Sequence, residues 1–78
     1  MKNINLNEKQ SQSQNRAILA YLQKGNSVTP LEALNKFRCL RLSARILDLK
    51  NQGYQIGDEM VKDAVTGKRY KRYWLIGE

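Results

Sequence analysis

Residues 29–32, Thr-Pro-Leu-Glu, contain the strongest local folding signal in the chain. Threonine is a favoured helix N-cap, and proline suits the first helical position because its missing amide would have no partner there. Glutamate three residues after the threonine completes a capping box. This stretch therefore predicts a short helix that begins at Pro30 and ends near Lys36 or Phe37. Three apolar side chains at helical spacing are predicted to form its buried face: Leu31, Leu34 and Phe37.

A helix is predicted before this signal, over Ser11–Lys24. Ser11 or Ser13 can cap it, and Gly25 follows where a helix often ends in a left-handed residue. Its apolar stripe consists of Ile18, Leu19 and Leu22, with Tyr21 beside them. The preceding residues, 1–10, are mostly polar and are expected to form a flexible tail, so that residues 11–78 make up the folded domain.

A third helix is predicted after a brief connection over Arg38–Arg41, from about Leu42 to Gln52. Leu42, Ile46 and Leu49 lie at positions i, i+4 and i+7 and so share one face. Cys39, in the connection, is expected to be a small, partly buried residue. Gly53 then closes the helix.

The remaining chain predicts a β-hairpin. Its first strand spans Tyr54–Lys62, with a bulge or bend at Gly57-Asp58, and its second spans Arg69–Ile76. Residues 65–68, Val-Thr-Gly-Lys, are a turn signal between them. By alternation, one face of the second strand carries Tyr70, Arg72 and Trp74, and the other carries Lys71, Tyr73 and Leu75. Packing in the core or at a dimer contact is favoured for Trp74 over stacking on bases.

The charge distribution indicates a polyanionic partner. The chain has 78 residues, enough for one domain, and a formal net charge of +7. Ten of the fourteen lysines and arginines lie at or after Lys36, against five acidic residues in the same stretch. A basic small domain attracts nucleic acid, although a charge of this size is also common in soluble domains.

The residue inventory argues against several functions. The chain has one cysteine and no histidine, so a structural zinc site and a histidine-dependent catalytic triad are not expected. No glycine-rich phosphate loop is present, and we expect neither an enzyme nor a cofactor. The chain has no signal-peptide pattern and no apolar run long enough to cross a membrane, and the lone cysteine suits a reducing compartment. The expected location is the cytoplasm.

The chain resembles the winged helix-turn-helix family, and particularly small phage and prophage helix-turn-helix proteins. The residues that carry the resemblance are 29–34 (TPLEAL), 42–49 (LSARILDL), 53–56 (GYQI) and 66–73 (TGKRYKRY). It covers Gln14 to Ile76. It implies an α+β fold in which three helices are followed by a two-stranded β-hairpin wing, with the third helix in the major groove of DNA.

The resemblance implies DNA contacts from the third helix and the residues before it. Arg45 is the first candidate for a bidentate contact with guanine, and Ser43 and Ala44 for closer contacts with base edges. Arg38 and Arg41 are placed for phosphates. In the competing interpretation, Arg45 pairs with Asp48 or Glu32, and Ser43 only caps the helix.

The wing is predicted to contact phosphates through four residues: Lys68, Arg69, Lys71 and Arg72. Lys71 and Arg72 point to opposite faces of the strand, so they are not expected to contribute equally. The competing interpretation is an edge strand whose charges prevent aggregation.

The predicted function is sequence-preferring binding of double-stranded DNA, as a phage or prophage transcriptional regulator. An excision or architectural factor that recruits a recombinase remains open, as does a module that binds a host protein. RNA binding is a further alternative, which would favour exposed Tyr70 and Tyr73 over Arg45. A homodimer is also left open, although no extra helix for dimerisation is predicted.

Overall fold

A computed structural model describes residues 6–77 of the chain and, within them, the side chains from Ser11 onward. This part of the chain contains three helices and a three-stranded antiparallel sheet, which confirms the predicted α+β winged helix architecture. The elements in chain order are α1 (Leu6–Gln23), β1 (Ser27–Val28), α2 (Pro30–Phe37), α3 (Leu42–Asn51), β2 (Ile56–Lys62) and β3 (Arg69–Leu75).

Helix α1 begins at Leu6, five residues before the predicted start at Ser11. The helix thus starts within the segment predicted as a tail, and residues 1–5 lie outside the described part. The added turn contains Glu, Lys and Gln, which have good helix propensity, and no Gly or Pro interrupts it. The polar composition of residues 6–10 is therefore compatible with a helix.

The capping box of α2 forms as predicted. The Thr29 hydroxyl accepts a hydrogen bond from the Glu32 amide (3.2 Å), and the Glu32 carboxylate accepts one from the Thr29 amide (3.0 Å). The helix ends at Arg38, whose backbone is left-handed with φ 54°. Its carbonyl accepts a hydrogen bond from the Gln14 side chain of α1 at 3.1 Å, which ties the turn to the first helix.

The buried face of α2 differs from the predicted one. Ala33 is fully buried, whereas Leu31 is 66% exposed and Leu34 is also exposed. Phe37 is half-buried and packs edge-to-face on Tyr21, with ring centroids 5.6 Å apart. The small Ala33 side chain lets this short helix approach the core closely, and the two leucines on either side of it are turned outward.

The core is formed where α1 packs against α3 and the sheet. Leu42, Ile46 and Leu49 of α3 are buried, as the helical spacing predicts, and they meet Ile18 and Leu22 of α1. The core also includes Cys39, which is more deeply buried than expected. Burial of these stripes fixes which side of α3 remains accessible.

The sheet has the order β1-β3-β2, so the second hairpin strand lies in the middle. The hairpin was predicted, but the two-residue strand Ser27–Val28 was not, because a strand this short has no recognisable pattern. It pairs with β3 through Ser27–Trp74 and Val28–Tyr73. Strand β2 begins at Ile56 rather than at Tyr54.

The predicted bulge at Gly57-Asp58 is absent. Pairing along β2 and β3 is continuous, from Ile56–Leu75 to Lys62–Arg69. Gly57 is instead covered by the indole of Trp74, since a Cβ at this position would lie 2.9 Å from a carbon of that ring. The half-buried Trp74 therefore packs against its own hairpin.

We expect Thr29→Ala to lower the free energy of unfolding by about 1 kcal/mol, because it removes the hydroxyl that caps α2. Thr29→Ser keeps a capping hydroxyl and should retain most of that stability. Urea unfolding of both variants measures the difference. An alanine variant as stable as the natural protein would show that the capping box contributes nothing.

Candidate nucleic-acid interface

An open cleft of about 420 Å³ lies between the N-terminus of α3 and the hairpin. It brings together four residues that the sequence singled out: Arg41, Ser43, Arg69 and Lys71. The cleft also contains two apolar side chains that the sequence did not indicate as functional, Leu40 and Met60, both exposed to solvent. The surface thus combines cations with exposed apolar side chains.

The N-terminus of α3 opens into this cleft without a side-chain cap. Arg41 is the N-cap residue and makes no side-chain capping hydrogen bond, and the first turn contains no acidic residue. Ser43 is the second residue of the helix, so it does not take the capping role considered for it. The free amides carry the positive end of the helix dipole, which favours an anion at this position.

The pairing of β2 with β3 separates the cations of the wing onto two sides. Directly paired residues share a face, so Arg69 and Lys71 lie on the same side as buried Tyr73, the side that faces the helices. Lys62 pairs with Arg69 and adds a third cation there. Asp58 is the acidic residue on this side, with its carboxylate 3.9 Å from the Lys71 ammonium.

Arg72 lies on the opposite side of the hairpin. Its guanidinium donates to the carboxylate of Glu59, its direct cross-strand neighbour. Both side chains are about half-exposed, and their charges cancel. The structure therefore does not bring Arg72 together with the other predicted DNA-contacting residues.

The turn of the hairpin presents Lys68 to solvent. The Asp63 carboxylate accepts hydrogen bonds from the amides of Val65 (2.7 Å) and Thr66 (3.2 Å). Gly67 takes a positive φ of 75°, and its amide donates to the Asp63 carbonyl. These contacts order the turn, which holds the exposed Lys68 next to Arg69 at the end of the hairpin.

Arg45 was predicted to contact bases, but its side chain is not directed into solvent. Its side chain is 16% exposed, and a guanidinium nitrogen lies 3.2 Å from a carboxylate oxygen of Asp48. The same oxygen accepts a hydrogen bond from the side-chain amide of Asn15 at 3.2 Å. The pairing of Arg45 with Asp48 that competed with base contact is thus the arrangement found, and the hydrogen bond from Asn15 to Asp48 joins α1 to α3.

Asn15 is a structural residue that sequence reasoning missed. It is buried, and within the described residues its side-chain carbonyl and the Nε of Arg45 have no hydrogen-bond partner. Asn15 occupies the same helical stripe as Ile18, Leu19 and Leu22. A polar residue on an apolar stripe was the available signal, because such a residue needs a buried polar partner.

The other predicted residues lie apart from the cleft. Arg38 borders a separate depression beside α1, which it shares with Gln14 and Lys36. Ala44 is half-buried on α3. Leu47, one turn after Ser43, is 57% exposed.

Two general features of the described residues bear on the site. Over residues 6–77, no helix is long and apolar enough to cross a membrane. In the same part of the chain, no three acidic, cysteine or histidine side chains come close enough to hold a metal ion.

Two helices joined by a short turn, with a basic hairpin directly after the second, define a winged helix-turn-helix protein. The family model for the winged helix-turn-helix domain matches residues 13–78, and the chain belongs to this family. Neither a curated protein nor a solved structure matches the chain.

We expect Asp48→Ala to lower the free energy of unfolding by about 1–3 kcal/mol, because it leaves the buried Asn15 amide and the Arg45 guanidinium unpaired. Asp58→Ala is the matched control, since it removes a similarly exposed carboxylate whose only partner among the described residues is the half-exposed Lys71 ammonium at 3.9 Å, an ion pair that should contribute about 0–1 kcal/mol. Urea unfolding compares the two. Equal losses would contradict a structural role for the contact between α1 and α3.

Proposed function

We propose that this protein binds double-stranded DNA, with the N-terminal part of α3 in the major groove and the hairpin along the phosphate backbone. The observation that carries this proposal is the cleft, where the uncapped end of α3 meets Arg41, Arg69 and Lys71. The major groove admits a helix, and phosphates favour both the cations and the free amides of a helix N-terminus.

The charge on this side of the molecule favours a polyanion over an uncharged partner. Four cations border the cleft or continue its basic side along the hairpin: Arg41, Lys62, Arg69 and Lys71. The Asp58 carboxylate lies 3.9 Å from the Lys71 ammonium and offsets only part of its charge. Contacts of this kind position a protein on the duplex without reading its sequence.

The aromatic residues favour duplex over single-stranded nucleic acid. Single-strand binders stack bases on accessible aromatic rings. Tyr73 is buried, Tyr70 is half-buried, and Trp74 covers Gly57. None of the aromatic side chains described between residues 11 and 77 is fully exposed, which disfavours single-stranded RNA or DNA as the ligand.

Within DNA binding, we propose a transcriptional regulator that acts in the cytoplasm of a bacterial host, as in phages and prophages, and that binds without catalysis. Membership of the winged helix-turn-helix family supports DNA as the partner. The likeness to phage proteins rests on the sequence resemblance alone.

Adjacent residues of β3 supply a sharp test. Lys71→Ala removes a cation on the basic side, whereas Arg72→Ala removes one from the opposite side. Binding of a fluorescent duplex is measured over a series of salt concentrations. We expect Lys71→Ala to weaken binding and to reduce the slope of log K against log salt by about 0.9, the value for one phosphate contact.

Arg72→Ala should leave both the affinity and the slope close to those of the natural protein. A reduced slope in Arg72→Ala with none in Lys71→Ala would place the DNA on the other side of the hairpin. Absence of duplex binding by the natural protein at low salt would refute the proposed function.

A further inference from the structure

The accessible surface of α3 and the turn before it is unexpectedly apolar. Leu40 is 83% exposed and Leu47 is 57% exposed. Leu40 borders the cleft together with Ser43, and Ser43 and Leu47 lie four residues apart on the same face of the helix. The three side chains therefore follow one another along the side of α3 that the proposed function places in the major groove.

The side chain best suited to read guanine is engaged elsewhere. Arginine reads guanine through two donors directed at O6 and N7. The Arg45 guanidinium is mostly buried and paired with Asp48, which also holds the Asn15 amide. The face of α3 that remains open thus offers a hydroxyl and leucine side chains rather than an arginine fork.

The major groove contains one apolar group that matches such a surface, the C5-methyl group of thymine. The cations near these leucines favour DNA over an uncharged apolar partner. Arg41 lies next to Leu40, and Arg69 and Lys71 border the same cleft. An occupant that matches this surface combines negative charge with apolar groups, as thymine-containing duplex DNA does.

We propose that Leu40 and Leu47 contact thymine methyl groups in the major groove and make the protein prefer A·T over G·C base pairs. This inference rests on the proposed function. It replaces the guanine preference expected from Arg45 with one for thymine, and it makes Leu40 and Leu47 specificity-determining residues.

Uracil differs from thymine only by lacking the methyl group, so it isolates the contact. Affinities are measured for short alternating dA·dT duplexes and for the same duplexes with dU in place of dT. For the natural protein we expect roughly fourfold weaker binding to the uracil duplex for each methyl group contacted. A second pair of duplexes, alternating dG·dC with and without 5-methyl-dC, should show a gain on methylation.

The variant Leu47→Ala should bind the thymine duplex more weakly and discriminate less between thymine and uracil. Leu31→Ala is the matched control, because Leu31 is also an exposed leucine (66%) but lies on α2 rather than on α3. It should keep the natural ratio of thymine to uracil affinity. Circular dichroism of both variants verifies that they are folded, and Leu47→Met provides a second variant that keeps an apolar side chain.

The possible outcomes separate this inference from the proposed function. Binding of all duplexes with equal affinity would overturn the thymine contact while leaving DNA binding intact. No binding to any duplex at low salt would refute the proposed function itself. Sedimentation showing that Leu47→Ala dissociates a dimer, with an unchanged thymine preference, would assign Leu47 to a contact between copies and would also overturn the inference.

Discussion

Burial of Tyr73 in the central strand β3 is the constraint on which the proposed interface depends. Tyr73 pairs with Val28 on one side and with Asp58 on the other, and its side chain enters the core. Side chains alternate along a strand, so a register shift of one residue would exchange the two faces. With Tyr73 buried, Lys71 has to lie on the side of α3 and Arg72 on the opposite side.

Local signals predicted the elements well because they act within a few residues. The capping box at Thr29 and the stripe of Leu42, Ile46 and Leu49 depend on hydrogen bonds and spacing inside one helix. The burial of α2 depends instead on how closely it approaches the core. Ala33 allows that approach and leaves Leu31 exposed, and this result of tertiary packing cannot be read from helical periodicity.

The sequence predicted the positive charge of the interface but not which side chains of α3 are available to contact bases. The basic residues of the wing are visible in the sequence, and strand alternation already separates Lys71 from Arg72. The position of Arg45 is decided by Asn15 and Asp48, which lie on different helices. The polar Asn15 on the apolar stripe of α1 indicates a buried partner, but helical spacing does not identify that partner as Asp48, 33 positions away. The burial of Arg45 therefore leaves Leu40 and Leu47, rather than an arginine fork, on the accessible side of α3.

Chemical-shift mapping by NMR tests the proposed surface most directly. The backbone amides of the isotopically labelled protein are followed while a thymine-containing duplex is added. We expect the largest changes at Arg41, Ser43 and Leu47 and along the cleft-facing residues of the hairpin, with little change at Ile76 at the far end of the sheet. Changes centred instead on Glu59, Arg72 and Trp74 would show that the opposite face of the hairpin binds DNA, which would contradict the proposed interface.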